Sequence, residues 1–430
     1  MSHRALSRLV LFTILLAIVC PSQAPCEGTF AVTAVTDRPE ALYHVGETVT
    51  FRVTVTLDGQ PLSEGQACYV LSNDGAETLG EGALTLAGGP VEVTGQLDHP
   101  GFLRCQITYA ASDGKDYSAT AAGGYDPLEI KPSMEVPGDF DAFWAGKKGE
   151  LAKVPMNPVL TEVESPVEGV VCFDVQVECL GGMPVSGYLA RPSGAQPASL
   201  PAVLWTHGAG VGGSAIRDDV AAEGMLVLDI NAHGIPNGKP AEFYKELDAG
   251  ALKNYRYEGR EDRERYYFLG MYLRLMRAME FLMAQPEWDG KVLIACGSSQ
   301  GGGQALVAAG LEPRVTALIA NVPAMCDHTG TINGWPRLVP RDDAGNPDPQ
   351  IQQASRYFDA MNFATRTTAD ALVSVGFIDN TCRPTTVYAA YNNLRGKKRM
   401  LDKPLMTHAY PPEWNDLALE TMKEHIRAAS

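Results

Sequence analysis

A serine nucleophile is predicted at Ser299. The apolar run 292–296 leads directly into the motif GSSQG at residues 297–301, and a helix-like stretch follows from 303 to 309. This strand–turn–helix context is what a nucleophile elbow requires, because the sharp turn exposes the serine and small neighbours keep side chains away from strand and helix. Ser298 lies one position too early, so its side chain is expected to point away from the site.

A serine needs a general base, and three histidines follow it in the chain: His328, His408 and His425. His408 comes directly after the last apolar segment, where a loop can reach back over a sheet to Ser299. His425 lies in the final amphipathic helix, where a solvated surface position is expected. His328 follows an earlier strand and is expected near the entrance. In sites built on a nucleophile elbow, the serine comes first in the chain, then the acid and then the histidine, and this order favours His408.

The acid must orient the histidine and stabilise the imidazolium. Asp379 follows the apolar run 373–378 and lies 29 residues before His408. Asp327, at the end of the preceding strand, and Asp402 are the rival candidates. A helix cap is the structural alternative for Asp379.

The developing oxyanion needs two N–H donors. We expect one from the backbone of Gln300, the residue after the nucleophile, and the other from the loop His207-Gly208-Ala209-Gly210 that follows the strand at 202–206. Ala209 is the predicted donor of this loop. His207 is interpreted as a residue that fixes the loop rather than as a catalyst.

One long irregular stretch, residues 327–348, has the length of a lid or substrate wall. Trp335 lies within it. We predict that Trp335 contributes a stacking wall for a sugar ring, with packing against the domain as the alternative.

The elements that must position these residues form an alternating β/α pattern over residues 138–430. Short apolar strands alternate with amphipathic helices, of which 266–284 is the clearest, and this predicts a mostly parallel sheet covered by helices on both faces. Asp139 is expected near the start of the first helix. The strands are predicted at 172–179, 183–191, 202–206, 225–230, 292–296, 315–321, 371–377 and 404–406.

Residues 29–125 show a different pattern, with short alternating β runs separated by turn signals. This predicts a β-sandwich of about seven strands that resembles immunoglobulin-like modules. Residues 126–137 are predicted to be a linker. Cys68 and Cys105 fall in predicted strands of the same small domain. The sequence is consistent either with a disulfide between them or with two buried free thiols.

Residues 1–28 have the layout of a secretory signal peptide. Arg4 and Arg8 precede an apolar run from Leu9 to Val19, which is too short to span a membrane, and a small polar stretch follows. The mature protein is therefore expected to be secreted or periplasmic, with no membrane span.

The chain has 430 residues and a formal net charge of −16, which argues against a nucleic-acid partner. No cofactor and no metal are predicted, because the histidines are scattered and no phosphate-binding glycine loop opens a helix. The oligomeric state is open, a homo-oligomer included.

From about residue 136 onward, the chain resembles the acetyl xylan esterase and cephalosporin C deacetylase family of α/β-hydrolases. The resemblance rests on the segment DFDAFW at 139–144, on the helix from Tyr266 to Trp288, on GSSQGG at 297–302 and on DNTCRPTTVYAAYN at 379–392. It implies an α/β-hydrolase fold and an enzyme that removes acetyl groups from sugars. It also implies a triad of Ser299, Asp379 and His408, with Ala209 and Gln300 as oxyanion amides.

The chain departs from this family at three places. Ala209 stands where the family usually has Tyr, Thr407 and Ala409 flank His408 where Gly and Glu are usual, and residues 231–234 read NAHG rather than RGQG. Ala209 alone supports the alternative enzyme, an esterase for bulkier acyl groups or a serine peptidase. A non-catalytic binding or surface protein is the alternative from another class, and it would need a broken triad.

Overall fold

The computed structural model describes residues 28–429. The predicted signal peptide lies, except for Gly28, outside these residues and stays a prediction. Two parts follow one another along the described chain: an all-β region, called the β module (residues 30–125), and a mixed region, called the α/β domain (residues 140–429).

The β module forms because its strands alternate apolar and polar residues. In Val49–Leu57, the even spacing of Val49, Phe51, Val53 and Val55 places four apolar side chains on one face, and all four are buried. Within residues 30–125 the strands are β1 (Phe30–Thr36), β2 (Leu42–Tyr43), β3 (Val49–Leu57), β4 (Gln60–Pro61), β5 (Gln66–Asn73), β6 (Glu77–Thr85), β7 (Val91–Gly95), β8 (Gly101–Ala110) and β9 (Asp116–Tyr125).

These strands form two sheets. One contains β1, β3, β4 and β7, and the other has the order β2-β9-β8-β5-β6. Both sheets contribute to one apolar core that includes Phe51 and Val53 from the first and Leu103 and Ile107 from the second. The described β region is thus a sandwich of nine strands, two of them only two residues long, rather than about seven. Its likeness to immunoglobulin modules stays a prediction.

The disulfide considered for Cys68 and Cys105 is absent from the described structure, where both thiols are free. The two residues lie on the neighbouring antiparallel strands β5 and β8, but Cys68 is opposite Thr108 and Cys105 is opposite Leu71. A register offset of three residues places the two side chains on opposite faces of the sheet. Cys105 is therefore buried, whereas Cys68 is exposed.

The α/β domain contains a nine-stranded sheet. Its strands are β10 (Val159–Val163), β11 (Val170–Val177), β12 (Val185–Pro192), β13 (Leu200–Thr206), β14 (Leu226–Ile230), β15 (Trp288–Ser298), β16 (Ala317–Asn321), β17 (Asp370–Gly376) and β18 (Lys398–Lys403). The order is β10-β11-β12-β14-β13-β15-β16-β17-β18, and every pair from β14 to β18 is parallel. The first four strands pair antiparallel.

Helices cover both faces of this sheet, as predicted. Those of the described chain are α1 (Phe140–Leu151), α2 (Asp218–Ala221), α3 (Ala241–Ala249), α4 (Tyr267–Met283), α5 (Gln300–Leu311), α6 (Pro349–Ser355), α7 (Ala360–Ala364), α8 (Pro384–Asn393) and α9 (Trp414–Ala429). Helices α1, α4, α5, α7 and α8 share the larger core, whereas α2 and α9 pack on the other face. Strands β14 and β16 are buried at every residue, and all of their residues except Asp229 and Asn321 are apolar, as expected for strands covered on both faces.

The last strand is not where the sequence predicted it. Residues 404–406 were expected to form it, but β18 is Lys398–Lys403, with the sequence KRMLDK. This strand lies at the sheet edge and is half-exposed, and charged side chains are common at such an edge because they discourage pairing with other chains. A search for apolar runs therefore misses it.

Asp139 precedes α1, but its carboxylate does not cap that helix. It instead accepts hydrogen bonds from Tyr357 and from Arg263, the latter at 2.7 Å. Asp139 thus ties the start of the α/β domain to two later segments.

The two parts of the molecule are in direct contact. Phe102 of β8 is fully buried, and its ring centroid lies 4.9 Å from that of Phe377 and 5.7 Å from that of Tyr388. The predicted linker also packs onto the α/β domain, since Asn392 donates hydrogen bonds of 3.0 Å to the carbonyls of Pro127 and Ile130. The β module is thus docked along α8 and the end of β17.

We predict that Phe102→Ala lowers the free energy of unfolding by about 3–5 kcal/mol, because it leaves a cavity between the two parts. Urea unfolding followed by circular dichroism measures this change. Leu79→Ala is the control, since Leu79 lies in the same module but is 45% exposed, and its effect should stay within about 0.5 kcal/mol. Equally small effects of both substitutions would contradict the prediction.

Candidate active site

Ser299 occupies the sharp turn between β15 and α5. Its backbone has φ 56° and ψ −120°, a region that residues with a side chain rarely adopt. Glycines make the turn possible: a Cβ on Gly297 would lie 2.5 Å from the backbone of Gly301, and a Cβ on Gly301 would lie 2.3 Å from the carbonyl oxygen of Thr206. The GSSQG spacing therefore reflects close contact between helix α5 and the neighbouring strand.

The structure brings Ser299, His408 and Asp379 together in one chain of hydrogen bonds. His408 Nε2 lies 2.9 Å from Ser299 Oγ, and His408 Nδ1 lies 2.7 Å from Asp379 Oδ2. A neutral imidazole with its proton on Nδ1 donates to the carboxylate and accepts from the serine hydroxyl. This is the geometry that activates a serine for attack.

Ser298, the neighbouring hydroxyl, is turned away as predicted. Its Oγ accepts a 2.8 Å hydrogen bond from Asn321 Nδ2 and is buried. It therefore lies outside the chain of hydrogen bonds that contains His408.

The segment 379–383, called the acid loop, folds around the Asp379 carboxylate. Asp379 is fully buried, and its Oδ1 accepts hydrogen bonds from the amides of Thr381 and Cys382 at 2.7 and 2.9 Å. These amides fix one oxygen, so the other faces His408. The alternative role as a helix cap applies only to Oδ1, which accepts from amides of the turn that leads into α8. Oδ2 is free for the imidazole.

The rival acids are placed elsewhere. Asp327 accepts hydrogen bonds from the amide and the hydroxyl of Ser133. Asp402 accepts a 2.6 Å hydrogen bond from Tyr388. Neither carboxylate is the one that His408 contacts.

The rival bases are also placed elsewhere. His328 is buried rather than at the entrance, and burial lowers its pKa to about 4. His425 lies in α9 but is half-buried rather than solvated, with Nδ1 3.4 Å from Asp370. The expectations of an entrance position for His328 and a solvated position for His425 were wrong, because both side chains pack against the domain.

A cavity of about 330 Å³ opens above Ser299 and His408. Its walls include Ala209, Trp335 and Tyr410. Trp335 is half-buried, whereas Tyr410 is 60% exposed. Trp335 was singled out from the sequence, but Tyr410 was not, although an aromatic residue two positions after the histidine was a usable signal.

The family model for acetyl xylan esterase (AXE1) matches residues 127–425, which is more than half of the chain. The chain belongs to this family. It is therefore a carboxylic-ester hydrolase of the acetyl esterase and acetyl xylan esterase type, as the resemblance implied.

Individual relatives agree with this assignment. The chain is 29% identical to the acetyl esterase Axe7A of Xylanibacter ruminicola over 436 residues, and the match covers 97% of each protein. Among solved structures, the acetyl xylan esterase from Paenibacillus sp. R4 has a TM-score of 0.59 at 28% identity, over 71% of this chain and 98% of that one. Acetyl xylan esterase 1 from Thermoanaerobacterium sp. JW/SL YS485 has a TM-score of 0.59 at 25% identity, over 70% and 97%. These likenesses confirm the α/β-hydrolase fold.

Both residues predicted to supply oxyanion donors lie near Ser299. Gln300 is the first residue of α5, so its amide has no acceptor within the helix. Ala209 is exposed in the wall of the cavity, and a Cβ on its neighbour Gly208 would lie 3.7 Å from the Cβ of Ser299. Ala209 thus shares the cavity wall with Ser299 and His408.

Two histidines hold the loop that contains Ala209. His207 Nε2 forms a hydrogen bond to the buried carboxylate of Asp229, which agrees with its interpretation as a loop-fixing residue. His233 Nε2 lies 2.9 Å from the carbonyl of Gly210, and its Nδ1 lies 2.7 Å from the hydroxyl of Tyr267. Sequence reasoning missed this role of His233, because no local pattern connects it to a loop 23 residues earlier.

One group of possible metal ligands occurs among the described residues: Asp379, Cys382 and His408. Both ring nitrogens of His408 are already engaged with Ser299 and Asp379. Burial raises the pKa of the Cys382 thiol well above its usual value, which disfavours the thiolate that binds metals. The group therefore fits the hydrogen-bonded chain better than a metal site.

No helix in the described part of the chain combines the length and apolarity needed to cross a bilayer.

We predict that His233 makes the stability of the protein sensitive to acid. Burial lowers its pKa to about 4, whereas an unfolded histidine titrates near 6.5. The unfolded state binds the proton more tightly, so this contribution is present above about pH 6.5 and is lost as pH falls toward 4. His233→Gln, which cannot titrate, should gain about 2–3 kcal/mol relative to wild type between pH 7 and pH 4. Urea unfolding at several pH values measures this gain, and a difference independent of pH would contradict it.

Proposed function

We propose that this protein removes acetyl groups from acetylated carbohydrate, with xylan-type oligosaccharides as the substrate class, through a covalent acyl-enzyme on Ser299. The observation that carries the proposal is the hydrogen-bonded chain from Ser299 through His408 to the buried Asp379. Membership of the acetyl xylan esterase family supports the choice of ester.

In the first step, Ser299 Oγ attacks the ester carbonyl carbon. His408 Nε2 accepts the hydroxyl proton, and the Asp379 carboxylate stabilises the resulting imidazolium through Nδ1. The reaction starts from atoms already within hydrogen-bond distance, so little reorganisation is needed.

The tetrahedral intermediate places negative charge on the former carbonyl oxygen. The amides of Gln300 and Ala209 are the proposed donors to this oxyanion, and a single donor of this kind contributes about 10²–10³-fold to the rate. The intermediate collapses when the sugar oxygen leaves and takes the proton from His408. Water then attacks the acetyl-serine by the same route, releasing acetate and restoring Ser299.

The cavity supports a sugar as the alcohol portion. Trp335 and Tyr410 present aromatic surface at its walls, and aromatic rings provide flat apolar surface for contact with a sugar ring. The short side chain of Ala209 in the cavity wall supports the alternative that acyl groups larger than acetyl also enter. Rates on nitrophenyl acetate and nitrophenyl butyrate separate the two cases, with acetate favoured under our proposal.

We also propose that the protein acts outside the cytoplasm, as a secreted or periplasmic enzyme. The proposal rests on Arg4, Arg8 and the apolar run from Leu9 to Val19, which have the pattern of a signal peptide. The mass of the protein recovered from the periplasm or the medium would show whether this segment is removed.

We predict that Ser299→Ala lowers acetate release from acetylated xylan by about 10⁴-fold or more, because no other group can form the acyl-enzyme. Ser298→Ala is the matched control, since it removes the neighbouring hydroxyl that bonds Asn321, and its kcat should stay within about threefold of wild type. Acetate release by Ser299→Ala at the wild-type rate would refute the proposed function.

We predict that Trp335→Ala raises KM for acetylated xylo-oligosaccharides by about fivefold, because it removes roughly 1 kcal/mol of apolar contact with the sugar. The Trp335 amide donates to the Thr381 carbonyl, and the substitution preserves this backbone contact, so kcat should change little. Steady-state kinetics on nitrophenyl acetate, which has no sugar ring, provide the control. If KM rose equally for both substrates, Trp335 would be a packing residue rather than a stacking wall.

A further inference from the structure

The β module reaches the acid loop through one face of strand β8. Alternation along this strand places Leu103 and Cys105 in the core of the module, and Phe102 and Arg104 on the opposite face. Both residues of that outer face are almost fully buried, Arg104 at 2% exposure, because this face packs against the α/β domain. A buried arginine in such a contact needs specific partners.

The partners of Arg104 belong to the acid loop. Nη1 donates a 2.6 Å hydrogen bond to Asn380 Oδ1, and Nη2 donates a 2.8 Å hydrogen bond to the carbonyl oxygen of Asp379. The second of these bonds is accepted by the backbone of Asp379, the same residue whose carboxylate contacts His408. Arg104 thus holds the acid loop immediately behind its functional side chain.

A second residue of the module, Asp74, completes the contact. Its Oδ1 lies 2.5 Å from Arg104 Nη2, and its side chain is fully buried. Its Oδ2 accepts a 3.1 Å hydrogen bond from the amide of Thr385, in the first turn of α8, and its carbonyl accepts one from Arg383. Arg383, the residue before this helix, makes no side-chain cap among the described contacts. Asp74 instead supplies the negative charge that a helix N-terminus favours.

The acid loop is therefore held from two sides. On the β module side, Arg104 binds Asp379 and Asn380, while Asp74 binds the start of α8. On the α/β side, Arg337 donates a 2.8 Å hydrogen bond to the Asn380 carbonyl, and the Trp335 amide donates one of 2.6 Å to the Thr381 carbonyl. Three successive carbonyls of the loop are thus bonded, and the first depends on Arg104.

We propose that the β module positions the acid of the active site: Arg104, paired with Asp74, holds the backbone at Asp379 and Asn380 and thereby aims the Asp379 carboxylate at His408. The inference rests on the proposed function, in which Asp379 orients His408. Both Asp74 and Arg104 precede residue 127, where the family match begins, so the inference concerns a part of the chain that this match does not describe. Arg104 is a positioning residue, because it acts through Asp379.

Arg104→Lys is the variant that tests this inference. An alanine would leave Asp74 buried without its cation, and losing one partner of a buried ion pair strongly destabilises a protein. Lysine keeps a positive charge for Asp74, but its single ammonium cannot reproduce the planar fork that spans Asn380 and the Asp379 carbonyl. The full-length chain is used throughout, and circular dichroism shows that each variant is folded.

We expect Arg104→Lys to lower kcat on nitrophenyl acetate about tenfold or more, with KM within about twofold of wild type, because small displacements at a reacting centre cost large factors in rate. The acid limb of the pH–rate profile should move to lower pH, since a looser Asp379 stabilises the imidazolium of His408 less. A merely structural role would leave this limb in place.

Asn392→Ala is the matched control. It removes two hydrogen bonds between α8 and the segment that joins the β module to the α/β domain, but it does not touch the acid loop. Its kcat should stay within about twofold of wild type. Equal losses in both variants, or an unchanged kcat in Arg104→Lys, would overturn the inference.

Asn380→Ala decides the question if Arg104→Lys fails to fold. It removes one acceptor of Arg104 on the loop and leaves the Arg104–Asp74 pair intact. A loss of kcat with unchanged KM supports the inference, and a wild-type kcat overturns it. Failure of the proposed function is distinguished by Ser299→Ala: if that variant is inactive while Arg104→Lys is unaffected, only the positioning role is lost.

Discussion

The buried carboxylate of Asp379 is the constraint on which the rest of the site depends. A fully buried charge is costly unless each of its oxygens is satisfied. Here the amides of Thr381 and Cys382 satisfy one oxygen, and His408 satisfies the other. The acid loop, the histidine loop and the serine turn must therefore meet in one arrangement.

The turn at Ser299 is the second constraint. A strained backbone of this kind costs about 1–3 kcal/mol and persists only where its surroundings determine it. Its amide donates to the Asn321 carbonyl at 2.9 Å, and its carbonyl accepts from the amides of Gly303 and Ala324 at 3.0 and 2.8 Å. The neighbouring strand β16 and the start of α5 thus hold the serine in the position from which it reaches His408.

The molecule also shows how a site can draw on a region beyond its own domain. The α/β domain contains every residue of the Ser299–His408–Asp379 chain, yet the backbone of Asp379 is bonded to a side chain of the β module. The contact combines an ion pair, a helix cap and the packing of Phe102 on Phe377. The β module therefore completes the surroundings of the acid loop.

Features that depend on local patterns could be predicted from the amino-acid sequence alone. Alternating apolar residues predicted the β module, continuous apolar strands predicted the parallel sheet, and the strand–GSSQG–helix context predicted the turn at Ser299. These predictions succeeded because periodicity reports directly which face of an element is buried. The charged edge strand β18 was missed because an edge strand needs little apolar surface and therefore shows little apolar periodicity.

Contacts between residues far apart in the chain are visible only in the folded structure. Asp379 rather than Asp327 or Asp402 contacts the histidine, and Cys68 and Cys105 lie on opposite faces although both are in neighbouring strands. Arg104 bonds to a residue 276 positions later in the chain. Such contacts depend on strand register and on the docking of whole elements, and no local pattern in the sequence encodes them.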